Sequence, residues 1–130
     1  MDLKYFPVAE RSRTYIFDLD GCLLRQGDRW PDIRIDDPVK ALLPGVKKKL
    51  AEIHMRGDFI LIVTARPEPY RSMTEWQLRT AGLMWHKLVM GLPTGQRILV
   101  NDTKPGAEED VPMAIAVNLK RDEGLDRMEV

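Results

Sequence analysis

Tyr15-Ile16-Phe17-Asp18-Leu19-Asp20-Gly21 is an apolar run that ends in two acids two positions apart, with a glycine directly after. A β-strand repeats every two residues, so Asp18 and Asp20 are expected on the same side where the strand runs out. Two like charges held that close repel, and both stay ionised at low cost only with a cation between them. The stretch therefore predicts a strand, Thr14–Asp18, that presents a magnesium site at its carboxyl end.

Working outward, apolar runs alternate with segments of helical period, the pattern of an α/β sheet with parallel strands. Pro44-Gly45 opens a helix that runs to about Arg56, with Val46, Leu50 and Ile53 on one face and Gly57 as the stop. Phe59–Thr64 is nearly all apolar and β-branched, as a central strand covered on both faces should be. Ala65-Arg66-Pro67-Glu68-Pro69 then turns into a helix over Tyr70–Ala81, for which Tyr70, Met73 and Trp76 are expected in the core. Three further strands are predicted at Lys87–Met90, Arg97–Asn101 and Ala114–Asn118. Residues 22–44, broken by three prolines, read as a loop or short flap, and residues 119–130 as a charged tail or an added helix. No linker divides the chain, so residues 1–130 are expected to form one domain with a core over about 14–118.

Lysine plus arginine and aspartate plus glutamate number 20 each, so no net field draws the chain to nucleic acid or to a membrane surface. The single cysteine, Cys22, excludes an internal disulfide, and no apolar run has the length of a membrane span or a signal-peptide core. A cytoplasmic protein whose recognition of its partner is local is expected.

In an open parallel sheet, ligands bind beyond the carboxyl ends of the strands, and polar residues gather there in this sequence. Asp18 and Asp20 follow the first strand, Thr64 and Arg66 the second, Asn101 and Asp102 the fourth. Magnesium prefers oxygen ligands and is usually held by one or two carboxylates plus a substrate phosphate, a pair that Asp18 and Asp102 can supply from neighbouring strands. A carboxylate oxygen of Asp18 is then the candidate nucleophile, with an aspartyl-phosphate as intermediate. Asp20 is the candidate acid and base, protonating the leaving oxygen and later accepting a proton from water. Thr64, with the N–H groups of Ala65 and Arg66 after it, offers a phosphate-binding turn ahead of a helix. Lys87 or Lys104 would supply a cation against the charge that spreads over the phosphoryl oxygens.

With these residues assembled, the chain resembles the haloacid dehalogenase-like hydrolases. Asp18-Leu19-Asp20-Gly21 is similar to their first motif, Thr64 to the second, and Val100-Asn101-Asp102 to the fourth, acidic one. The resemblance implies a three-layer α/β/α Rossmann-like fold with a mostly parallel sheet. It also implies Asp18, Asp20 (through its main-chain carbonyl) and Asp102 as magnesium ligands. Neither usual insertion point has room for a cap domain, so the resemblance implies an open site, suited to a large substrate or to cover by another subunit in a homo-oligomer. Members that keep the second aspartate are mostly phosphatases, and Val89–Pro93 with the later Ala-Val-Asn segment is similar to small capless members associated with sugar phosphates.

Plainer readings stand beside each assignment. Asp102 in Asn-Asp-Thr-Lys-Pro is also good turn chemistry, Thr64 also a simple helix cap, and Lys87 also an ordinary edge-strand lysine. Arg29, Trp30, Arg66 and Arg71 are surface residues or substrate contacts. His54 and His86 have no acids or cysteines at ligand spacing, and Cys22 reads as packing. The rival functions are a nucleotide or polynucleotide-end phosphatase and, in another class, a non-catalytic binding or regulatory module.

Overall fold

The computed structural model describes residues 7–26 and 37–129, so Arg29 and Trp30 lie outside the described residues. Three parallel strands form the main sheet in the order β1-β2-β3: β1 is Thr14–Asp18, β2 Phe59–Val63 and β3 Lys87–Val89. Asp18 pairs with Val63 and Val63 with Val89, which sets the carboxyl ends of all three strands at one level. The class is α/β.

The pleat separates two faces. Tyr15, Phe17, Ile60, Ile62 and Leu88 share the buried one, with the Tyr15 and Phe17 rings stacked 6.1 Å apart. Helix α2 (Val46–Met55) packs on β2, and its core residues are the expected Val46, Leu50 and Ile53. The other face carries Ile16, Leu61, Val63, Val89 and Asp18, and Ile16 is 49% exposed. β1 has no strand against its outer edge among the described residues.

Of the 22–44 stretch, residues 22–26 and 37–44 are described, and they are less of a flap than expected. Leu23, Leu24 and Leu43 are fully or almost fully buried, and Leu43 N–H donates to the Leu23 carbonyl. A one-turn helix, α1 (Pro38–Ala41), is capped by Asp37, whose carboxylate accepts from the N–H groups of Val39 and Lys40.

Helix α3 (Arg71–Thr80), preceded by a 3-10 turn at Glu68–Tyr70, is rotated relative to the expected face. It buries Thr74, Gln77 and Leu78, whereas Tyr70 and Trp76 are exposed and Met73 is half-buried. The cause is polar: Thr74 and Gln77 accept hydrogen bonds from a buried arginine, Arg66, and an unmet guanidinium in the core would cost more than an exposed Trp. His54 and His86 meet each other at the amino end of the sheet. Ile60 N–H donates to His86 Nδ1, which leaves His86 Nε2–H to donate to His54 Nδ1 at 3.2 Å.

Beyond β3 the chain departs most from expectation. Arg97–Asn101 and Ala114–Asn118 are not strands; residues 93–103 and 114–118 are exposed, with a two-residue antiparallel ribbon, β4 (Thr103–Lys104) and β5 (Val111–Pro112), between them. A strand exists only through its neighbours, and these apolar segments have none among the described residues. The C-terminal segment, by contrast, is neither tail nor helix. It turns back so that Leu125 and Met128 are buried, Leu125 N–H donates to the Pro44 carbonyl, and Asp122 N–H donates to the Gly21 carbonyl at 2.8 Å. Among the described residues no helix is long and apolar enough to cross a membrane.

Gly124 is the tightest point of that closure. It has φ +82°, and a Cβ there would lie 2.2 Å from the Pro44 carbonyl oxygen. Gly124→Ala is therefore expected to lower the unfolding free energy by more than about 1 kcal/mol, read as a lower urea midpoint with an unchanged slope.

Candidate functional site

Asp18 ends β1 on the more open face of the sheet. Although the residue is reached by solvent, the protein packed around its carboxyl removes enough water to raise its pKa above the usual carboxylate value. Asp20 adds to that rise, and a main-chain hydrogen bond at Leu19 and the charges of Arg97 and Arg121 oppose it. Gly21, at φ +87°, turns the chain sharply away after Asp20, and its N–H closes the loop on the Leu24 carbonyl at 2.7 Å.

Asp20 is committed elsewhere. Both its oxygens accept from the Arg66 guanidinium, Oδ2 from Nε at 2.9 Å and Oδ1 from Nη2 at 2.7 Å. Arg66 is 1% exposed and uses Nη1 on Thr74 Oγ1 and Gln77 Oε1. Its main-chain N–H donates to Thr64 Oγ1 at 3.1 Å. One side chain thus joins the end of β1, the turn after β2 and helix α3.

The expected phosphate-binding group is consequently rearranged. Thr64 is buried with its hydroxyl holding the turn, Ala65 is half-buried, and Arg66 faces Asp20 instead of the open mouth. Lys87 opens β3 opposite Leu61, two residues short of the strand end that stands level with Asp18. Lys104 is in the exposed ribbon, paired with Asp102 at 2.7 Å, and that hydrogen bond holds the Asp102 carboxyl below its usual pKa. The cations that do act on Asp18 are Arg97 and Arg121, which the sequence reading passed over. Arg121 was legible only through the fold, because nothing in a charged C-terminal stretch announces that its stem will lie against Gly21.

Asp18, Asp20 and Asp102 do not come together. Among the described residues no three His, Cys, Asp or Glu side chains are placed to share a metal ion. Asp18 is the kind of ligand magnesium takes, a partly desolvated carboxylate, whereas the Asp102 carboxylate is paired with Lys104.

Cys22, beside this loop and packed against the core, has its thiol pushed up to about 11 by burial and by the charge of Asp18, so it is protonated at neutral pH and is not a nucleophile. A cleft of about 450 Å³ lined by Arg11, Arg13, Tyr15, Arg56 and Asp58 lies at the opposite, amino end of β1, away from these groups. No protein-family model, no curated protein and no solved structure matches this chain.

The Asp20–Arg66 pair has a measurable signature. Removing one partner of a buried pair leaves an uncompensated charge and costs about 3–5 kcal/mol. Asp20→Ala should show a loss of that order in urea unfolding. Arg66→Met should lose less, because the Asp20 side chain is 17% exposed and water can reach the carboxylate left behind.

Proposed function

We propose that this chain is a phosphohydrolase of the haloacid dehalogenase-like kind, acting in the cytoplasm on the monoester of a small molecule, a sugar phosphate in preference to a nucleotide. Its complete fold in this reading is the three-layer α/β/α arrangement, with the 97–101 and 114–118 segments added to the sheet. The observation that carries the proposal is a carboxylate at the open carboxyl end of a parallel strand with two arginine charges acting on it. Such a mouth suits a phosphate, which needs a nucleophile on one side and positive charge around its oxygens.

In the first step an oxygen of Asp18 attacks phosphorus and the ester P–O bond breaks, so the leaving alcohol takes up a proton and Asp18 carries the phosphoryl group. In the second, water attacks the aspartyl-phosphate, loses a proton, and frees inorganic phosphate and Asp18. Both oxygens of Asp20 are occupied by the Arg66 guanidinium and are turned away from a leaving group. Asp20 therefore acts as acid and base only in a conformer that has released Arg66, and otherwise positions the loop. Magnesium belongs to the proposal as the cofactor, with Asp18 and Asp102 as ligands, and would neutralise charge on the phosphoryl oxygens.

The Asp20–Arg66 lock and the pairing of Asp102 with Lys104 favour the second reading, a binding module without turnover. One variant separates the two. Asp18→Asn should abolish magnesium-dependent release of phosphate from an aryl phosphate; absence of release by the parent protein supports the binding module, and undiminished release by the variant removes Asp18 as nucleophile.

The same substitution should raise stability at pH 7. A carboxyl whose folded pKa is raised prefers to be protonated in the native state, so its ionisation opposes folding increasingly as pH climbs through the folded value. Below the ordinary value of 3.8 the penalty disappears. Thermal melts of the parent and Asp18→Asn proteins should therefore differ at pH 7, the variant melting higher, and the gap should close towards pH 3.

A further inference from the structure

We propose that Arg121 is the phosphate-gripping cation of the site, in place of Lys87 and Lys104, and that the chain's return over residues 119–125 holds its guanidinium at the mouth beside Asp18. The identity of the anion rests on the phosphatase reading; the placement of Arg121 does not.

The return fixes Arg121 from several sides. Gly21, which turns the chain away after the two acids, has no side chain, and the Arg121 stem lies in the space this leaves: a Cβ there would stand 3.2 Å from Arg121 Cγ and 3.9 Å from Cδ. The next residue, Asp122, is tied to the same loop at two points. Its N–H donates to the Gly21 carbonyl at 2.8 Å, and its Oδ1 accepts from the Gln26 N–H at 2.8 Å. Asp122 has φ +61°, the one left-handed residue other than glycine among the described residues. A backbone of this kind persists where surrounding contacts over-determine it, and such positions cluster at functional sites. On either side, Leu119 packs on the core and Leu125 is buried, with its N–H on the Pro44 carbonyl. Arg121 is thus the exposed crest of a segment anchored before and after it.

The head of this side chain is available to a ligand. Among the described residues its guanidinium has no hydrogen-bond or ion-pair partner, whereas Arg66 is spent on Asp20, Thr74 and Gln77, and Arg71 on Glu68 and Glu75. The other cations are less well placed. Lys104 is paired with Asp102, Lys87 stands two residues back from the strand end level with Asp18, and Arg97 lies on the exposed 93–103 segment. Arg121 has its stem seated on the acid-bearing loop, and its charge acts on Asp18.

A guanidinium presents parallel N–H groups spaced to match two oxygens of one phosphate, which an ammonium does not. As an Asp18 oxygen attacks phosphorus, charge spreads over the three oxygens that stay, and a fork already aimed at them binds more tightly as the reaction proceeds. Arg121 therefore serves binding and turnover together, and inorganic phosphate, the product, probes it directly.

Orthophosphate in a magnesium-free buffer should raise the melting temperature of the parent protein. Arg121→Met, which keeps the stem on Gly21, should lose that rise, and Arg121→Lys should recover part of it. Each protein is compared with its own phosphate-free melt, so a loss of stability does not imitate a loss of binding. Asp122→Ala should weaken the rise, and Asp122→Asn, which keeps an acceptor and tolerates the left-handed backbone, should restore it. In turnover, Arg121→Met should lower kcat/KM for an aryl phosphate roughly 10- to 100-fold, the worth of a hydrogen bond to a charged group. A parent that phosphate does not stabilise, or an Arg121→Met protein stabilised as fully as the parent, overturns the proposal. A parent that binds phosphate through Arg121 yet releases none from the aryl phosphate retires the hydrolase reading and leaves Arg121 as an anion site.

Discussion

The guanidinium of Arg66 is buried, and most of the local architecture around the candidate site follows from what it needs. A planar cation without water requires acceptors in its own plane, and it finds them on two elements apart from its own turn: both oxygens of Asp20 after β1, and Thr74 and Gln77 on α3. Satisfying it fixes the rotation of α3, turns a polar stripe inward and sends Trp76 to the surface. A hydrophobic core alone would have favoured the adjoining face that carries Met73 and Trp76. The pair thus trades apolar burial for specificity of orientation, because Arg66 can be matched in only one arrangement of the three elements.

That commitment leaves Asp18 as the group with an unresolved electrostatic need. Its neighbour Asp20 has a cation of its own, whereas Asp18 is partly stripped of water, repelled by Asp20 and relieved by a main-chain hydrogen bond at Leu19 and the charges of Arg97 and Arg121. A strained ionisation of this kind, at the mouth of a parallel sheet, is where chemistry on an anionic ligand is most readily supported. The C-terminal turn stiffens the same region: Asp122 anchors the Gly21 loop and Gly124 fits under Pro44, so the loop bearing the two acids is held from outside as well as from within.

Short-range features were legible in the sequence. Thr14–Asp18 and α2 stand where alternation and helical spacing put them, because strand β1 and helix α2 are amphipathic with respect to a single core, and β2 differs by one residue at its end. The face of α3 was not legible, since Tyr70, Met73 and Trp76 follow the helical period but the buried acceptors for Arg66 outrank them. Leu125 and Met128 were hidden within a stretch whose charges suggested solvent, and their burial depends on the pocket left between Pro44 and the Gly21 loop.

Arg97–Asn101 marks the boundary between the two kinds of information. Its residues determine by themselves that an apolar, β-branched segment wants a strand on each side, and Asp18-Leu19-Asp20-Gly21 determines by itself a sharp acidic turn at a strand end. Which strand lies beside which is not a property of either segment. Pairing depends on where the chain leaves the body and which edge remains open, so the sequence supplied the parts of the site and tertiary structure decided which of them meet.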